Sequence, residues 1–257
     1  MMNIEIDKHN RVTVITINRP AARNAVDGPT AAELAEAFRA FDVDSDTDVA
    51  ILTGANQTFC AGADLKAVAT GDGNRVSTKG DGPMGPTRML LSKPVLAAVE
   101  GHAVAGGLEL AAWCDLRIAA ENAVFGVYCR RWGVPLVDGG TVRLTRLLGT
   151  SRAMDLILTG RGVSGEEALQ MGLANRLSKP GQALDDALVL AEQLCQFPQN
   201  CMRSDRLSAY TQWDQPLDSA LIQETELGLA VIKSGETAAG AARFAAGKGR
   251  HGNFDEI

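Results

Sequence analysis

Paired cysteines are missing from this 257-residue chain. The five present, Cys60, Cys114, Cys129, Cys195 and Cys201, are odd in number, and none falls in a C-x-x-C pair. That argues against a disulfide framework and reads as free thiols in a reducing compartment. Histidine is scarce as well. His9, His102 and His251 are widely scattered, so no metal site is expected. No apolar run approaches membrane-spanning length. The first residues, Met1 to Asp7, are acidic and lack a continuous apolar stretch, which does not read as a signal peptide. A surplus of positive charge is absent too: Lys+Arg 25 against Asp+Glu 31 leaves a net charge of −6. A nucleic-acid partner is therefore not expected, and any anionic phosphate has to be met by a few placed Arg or Lys side chains. These absences together predict a cytoplasmic protein with neither membrane nor nucleic acid as partner.

What is present is ordinary globular composition, 46% hydrophobic and 22% charged. The length suffices for one large domain, or a domain with an appendage. Val12–Ile17 alternates and is β-branched, which predicts a strand. Pro29 stands near a helix start, and Leu34, Ala37, Phe38 and Phe41 recur at helical spacing. Short apolar runs at Val49–Thr53, Pro94–Val99 and Leu116–Ala119 predict further strands, with a helix from Gly107 to Trp113. This order predicts an α/β architecture. Residues 71–86 hold five Gly and two Pro, and read equally as a mobile loop beside a site or as a surface insertion. Beyond Gly139 the patterns are helical: a capping box at Ser164–Glu167, then Ala183–Gln196, Leu217–Lys233 and Glu236–Ala246.

Two segments carry the chemistry. One is Phe59-Cys60-Ala61-Gly62-Ala63-Asp64-Leu65; the other is Gly101-His102-Ala103-Val104-Ala105-Gly106-Gly107-Leu108-Glu109-Leu110. Each follows an apolar strand-like run and is built from Gly and Ala, so a ligand can approach the backbone closely. Each then turns polar or helical, which leaves N–H groups free at a helix start. Two such donors aimed at one point form an oxyanion hole. Glu109 lies one helical turn beyond Gly106, on the same side. A carboxylate in that apolar run is expected to have a raised pKa suited to acid–base work; a buried acid paired with Arg117 is the alternative. Asp138 directly precedes Gly139-Gly140, so an N-cap role is open for it.

Those two segments, with the acid at Glu109, resemble the crotonase (enoyl-CoA hydratase/isomerase) family. The order continues through Phe125-Gly126, Gly139–Leu144, Ser151–Gly160 and Ala168–Ala174, so the resemblance runs from about Val12 to the C-terminus. It implies an α/β crotonase-type spiral of ββα turns over residues 1–195 and a C-terminal helical oligomerisation region over 196–257, assembled as a trimer or hexamer. It implies an acyl-CoA substrate and an enolate route, most simply reversible hydration of a 2-enoyl-CoA. CoA enters as part of the substrate, with no separate cofactor and no metal. Double-bond isomerisation and a non-catalytic acyl-CoA binder are the alternatives. Serine hydrolysis lacks any clear Ser/His/Asp arrangement.

By the same resemblance the oxyanion donors are the N–H groups of Ala63 and Gly106. Arg23 and Ala25 lie along the pantetheine and diphosphate path, and Ala61, Asp64 and Leu65 flank the adenine and pantetheine. Lys248 or Arg250 is placed to reach a phosphate. One position departs from the pattern. Hydratases carry a second Glu shortly after the Phe-Gly pair, and here that place holds Cys129, in Tyr128-Cys129-Arg130-Arg131-Trp132. Asp138 is spaced from Thr141 as the catalytic Asp of the family's dienoyl-CoA isomerases is from its Thr, so it stands either as the replacement carboxylate or as the helix cap. Arg130 and Arg131 are expected to neutralise a substrate carboxylate, to pair with Asp138, or to lie on the surface.

Overall fold

The computed structural model describes residues 3–249. The chain opens with β1 (Ile4–His9) and β2 (Val12–Ile17), an antiparallel pair turned at Asn10, whose φ is 52°. α1 (Gly28–Val43) starts at Asp27, whose side chain accepts from the Thr30 N–H, with Pro29 in the first turn. It buries Leu34, Ala37, Phe38 and Phe41, the face its spacing predicts. β3 (Val49–Gly54) then runs parallel to β2. After the short α2 (Leu65–Thr70) come β4 (Val95–Val99), β5 (His102–Val104) and α3 (Gly106–Trp113). β6 (Leu116–Ala120) and β7 (Val124–Gly126) lead to α4 (Gly140–Leu148) and α5 (Thr150–Thr159). β8 (Gly162–Ser164), α6 (Gly165–Met171), β9 (Arg176–Ser178) and α7 (Ala183–Gln196) follow.

The strands form two sheets. The larger has the order β1-β2-β3-β4-β6-β9 and is parallel from β2 onward; the smaller has the order β5-β7-β8. β4 and β5 are consecutive yet belong to different sheets, as are β6 and β7, and a helix follows each pair. This is the repeating ββα turn. Central parallel strands are covered on both faces, which is why Val95–Val99 is an uninterrupted apolar run with every residue buried. The corner between β4 and β5 is Gly101, at φ 54°, where a Cβ would lie 2.4 Å from the Gln57 carbonyl oxygen.

Residues 71–86 do not behave as one loop. Residues 71–80 lie at or near the surface, but 82–87 are buried, with Met84 only 1% exposed. The cause is Gly85, at φ +93°, which lets the segment press onto α1; a Cβ there would meet the Ala31 carbonyl oxygen at 2.5 Å.

The chain packs as two compact units, the first ending at Ala191 and the second beginning at Glu192. The break expected after residue 195 lies in the same helix, α7. The second unit contains α8 (Gln199–Thr211), α9 (Leu217–Lys233) and α10 (Glu236–Ala245). It leaves Leu217, Ile222, Ile232 and Phe244 largely exposed. No helix among the described residues is long and apolar enough to cross a membrane.

Candidate active site

The two Gly/Ala segments lie side by side. The Cys60 N–H donates to the His102 carbonyl at 2.8 Å, and the Val104 N–H donates to the Cys60 carbonyl at 3.1 Å. Side chains have no room at this seam. A Cβ on Gly62 would sit 2.8 Å from the Ala105 Cβ and 2.9 Å from the Gly106 nitrogen; one on Gly107 would sit 2.1 Å from the Cys60 oxygen. Ala63 stands between Gly62, whose carbonyl accepts from the Val26 N–H, and Asp64, whose N–H donates to the Val26 carbonyl. Its own N–H has no acceptor among the described residues. Ala105 adopts φ 53°, ψ −124° and launches α3, so Gly106 is the first helical residue, one earlier than predicted. Its N–H has no acceptor among the described residues either, as the first turn of a helix requires. Ala63 and Gly106 line one cavity of about 710 Å³.

Glu109 and Asp138 line the same cavity, each 3% exposed. Glu109 Oε1 accepts from the Asp138 N–H at 2.9 Å and the Gly140 N–H at 2.8 Å. Burial raises its pKa to about 7, helped by the negative charge of Asp138 and opposed by the two N–H donors and Arg143. Pairing with Arg117 does not occur. That guanidinium is buried among the carbonyls of Leu173, Ala111 and Cys114 and the Asn175 side chain.

Asp138 is not a helix cap. α4 is capped by Gly139, with no side chain involved. Asp138 Oδ1 instead accepts from the Met84 N–H at 2.9 Å and from the Thr87 hydroxyl. Burial raises its pKa, while the Thr87 and Met84 donors and the charges of Arg88 and Arg143 lower it. Arg130 and Arg131 do not reach Asp138. Arg130 Nε donates to the Ile157 carbonyl at 3.0 Å, Arg131 donates to the Gly160 carbonyl at 3.4 Å, and Arg131 stacks over the Tyr128 ring. They fasten the turn 128–132 to the end of α5. Cys129 is buried in the cavity wall. Its thiol is pushed up by burial and by the charge of Glu109, which keeps it protonated and a poor nucleophile.

The residues expected along CoA divide. Arg23, Ala61 and Leu65 line the cavity, and the Ala61 N–H donates to the Arg23 carbonyl at 3.1 Å. Ala25 is buried, its carbonyl taken by the Arg19 guanidinium. The Asp64 carboxylate caps α2, accepting from the N–H groups of Lys66 and Ala67, and pairs with Arg19 at 3.2 Å. Lys248 is exposed in the second unit; Arg250 lies outside the described residues. Sequence reasoning missed Met84, Thr87 and Arg143. Arg143 donates to the carbonyls of both Asp138 and Thr87, at 2.7 and 2.6 Å. The only signal for this arrangement is Gly82, where a Cβ would strike the Thr87 hydroxyl and Asp138 Oδ1.

A family model described as enoyl-CoA hydratase/isomerase matches residues 7–251. The chain belongs to the enoyl-CoA hydratase/isomerase family. It is 37% identical over 247 residues to an enoyl-CoA hydratase of Mycobacterium tuberculosis, covering 93% of this chain and 92% of that protein. It is 39% identical over 196 residues to a carnitinyl-CoA dehydratase of Salmonella arizonae, covering 76% and 75%. Among solved structures, an enoyl-CoA hydratase from Mycobacterium marinum superposes with a TM-score of 0.90 at 36% identity, covering 95% of this chain and 96% of the other. The crotonase fold and family membership therefore stand together.

Proposed function

We propose that this protein reversibly hydrates 2-enoyl-CoA thioesters through an enolate. One observation carries the reading: two backbone N–H groups without acceptors among the described residues, on Ala63 and Gly106, line one cavity with two buried carboxyl groups, Glu109 and Asp138. The thioester oxygen sits between the two N–H groups. Charge that builds there as water attacks the β-carbon is stabilised by roughly 3 kcal/mol per donor. Glu109 and Asp138 move the protons. With one ionised and one protonated, the carboxylate takes a proton from water as the oxygen bonds to the β-carbon, and the acid delivers a proton to the α-carbon. One proton then returns between the pair. Glu109 at about 7 is poised for either state at neutral pH. Glu109 Oε1 is held by two N–H donors, so Oε2 carries the proton.

Hydration is redox-neutral, so CoA as part of the substrate supplies all that the chemistry needs. Arg23, Ala61 and Leu65 form the side of the cavity along which CoA lies. A homotrimer or hexamer goes with this reading, supported by the exposed apolar side chains of the second unit. A cytoplasmic setting goes with it too, supported by five free thiols. Cys129 favours a second reading, double-bond isomerisation, because one carboxylate suffices to take a proton and return it.

The test follows loss of the conjugated enoyl-thioester absorbance over several acyl lengths, with 3-enoyl thioesters in parallel. Turnover of 2-enoyl substrates supports hydration. Turnover of 3-enoyl substrates alone replaces it with isomerisation. Thioester binding without turnover of either overturns both and leaves a binding protein.

A further inference from the structure

Asp138 owes its placement to a segment that the two glycine-rich motifs do not include. Gly82 to Thr87 forms a tight turn closed by the Gly85 N–H on the Gly82 carbonyl at 2.9 Å. From that turn Met84 points its N–H and Thr87 its hydroxyl at the same oxygen, Asp138 Oδ1. Thr87 is 1% exposed, so its hydroxyl is enclosed in the protein rather than open to bulk solvent. Gly82 is bare at the point of closest approach: a Cβ there would lie 1.9 Å from Thr87 Oγ1 and 2.9 Å from Asp138 Oδ1. Arg143 ties the two residues together from the other side through their carbonyls.

We infer that Thr87 is a positioning residue whose hydroxyl holds Asp138 in the ionised form that receives a proton from water. This rests on Asp138 being the second proton carrier proposed above. The groups that face Asp138 are the Glu109 carboxyl from α3, the Cys60 thiol, and the guanidinium groups of Arg88 and Arg143. Burial opposes a charge on Asp138, and an ionised Glu109 and an ionised Asp138 repel one another. Arg88, Arg143, the Met84 N–H and the Thr87 hydroxyl favour the charge on Asp138. Thr87 is the one donor among these whose hydrogen bond can be removed without altering net charge or the backbone. The same turn reaches the oxyanion hole, because the Met84 side chain occupies the space a Cβ on Gly106 would need, with its sulfur 2.8 Å from that point. One short segment thus supports both halves of the site.

The experiment compares the full-length protein with Thr87→Val, Thr87→Ala and Thr87→Ser. Protein labelled with 13C in the aspartate carboxyl is titrated by NMR, and the Asp138 signal is assigned by its loss in Asp138→Asn. Removing a hydrogen bond to the charged form raises a carboxyl pKa, so the midpoint should rise by about one unit in Thr87→Val. The acid limb of kcat for enoyl-CoA hydration should move to higher pH by the same amount with little change in KM, and Thr87→Ser should restore both. Thr87→Ala carries the comparison if Thr87→Val does not fold. An unmoved Asp138 midpoint in either folded variant overturns the inference, as does lost stability with an unmoved acid limb, or a Ser variant that fails to restore it. If no enoyl thioester is turned over, the functional reading falls while the NMR titration still decides the role of Thr87.

Discussion

The main-chain N–H of Asp138 donates to the side chain of Glu109 at 2.9 Å, so one carboxyl residue holds the other. The two are far apart in the chain, on a loop and a helix. Their charges oppose one another across this contact, and burial raises both pKa values. Glu109 is therefore partly protonated at neutral pH, where an exposed carboxylate would have released its proton.

Glu109→Gln keeps the Oε1 contacts and removes titration. Hydration should slow by roughly a hundredfold or more, with thioester affinity nearly unchanged. Stability gives a second reading. A carboxyl raised from 4.5 to about 7 is protonated in the native state while ionised in the unfolded one. Native Glu109 therefore favours folding at low pH, and that advantage is lost as pH rises from 4.5 through 7, by roughly 3 kcal/mol at most. Urea denaturation at pH 5 and pH 8 should show the variant gaining on the wild type at the higher pH. A gap that stays constant would mean Glu109 titrates as a free carboxyl.

The oxyanion role proposed for the Gly106 N–H is testable by substitution to proline, which removes the N–H yet is tolerated at the first position of a helix. Met84 fills the space beside Gly106, so the comparison belongs in a Met84→Ala background. There Gly106→Pro should lower kcat by about a hundredfold or more, while Gly106→Ala, which keeps the donor, stays close to its background. Equal activity of the two would remove Gly106 from the oxyanion hole.

Cys129 lines the cavity, and burial together with the charge of Glu109 keeps its thiol protonated. Cys129→Ala should change kcat less than about threefold, and thiol reagents should label Cys129 slowly at neutral pH. Abolished turnover in a folded Cys129→Ala protein would make the thiol a participant.

Gly62 meets the opposite segment with no room for a side chain and at φ +95°. Gly62→Ala should destabilise the protein by about 3 kcal/mol or more and abolish turnover together, because the seam it opens carries both N–H donors. A variant of normal stability by chemical denaturation would contradict the close approach.

Much of this was legible in local sequence. Val12–Ile17 and Val95–Val99 carry strand signals that do not depend on distant residues, and α1 is marked by its cap and its apolar spacing. The Gly/Ala character of residues 59–65 and 101–110 is legible because only small residues permit the seam at Gly62 and Gly107. Other roles were not. Asp64 and Asp138 both precede a helix, yet only Asp64 caps one; Asp138 is drawn away by the Met84 N–H and Thr87 hydroxyl. Arg130 and Arg131 are adjacent to the cavity in sequence but reach out to the end of α5.

By itself the sequence determined the elements, the family, and the two segments able to carry free N–H groups, since each depends on residue size and periodicity within a short window. Only the tertiary structure decided which carboxyl faces Glu109, which donors hold it, and that Thr87 and Arg143 belong to the site. Hydrogen bonds join groups by position in space, and Thr87, Glu109, Asp138 and Arg143 become neighbours only when the turn at 82–87, α3 and the start of α4 pack around one cavity.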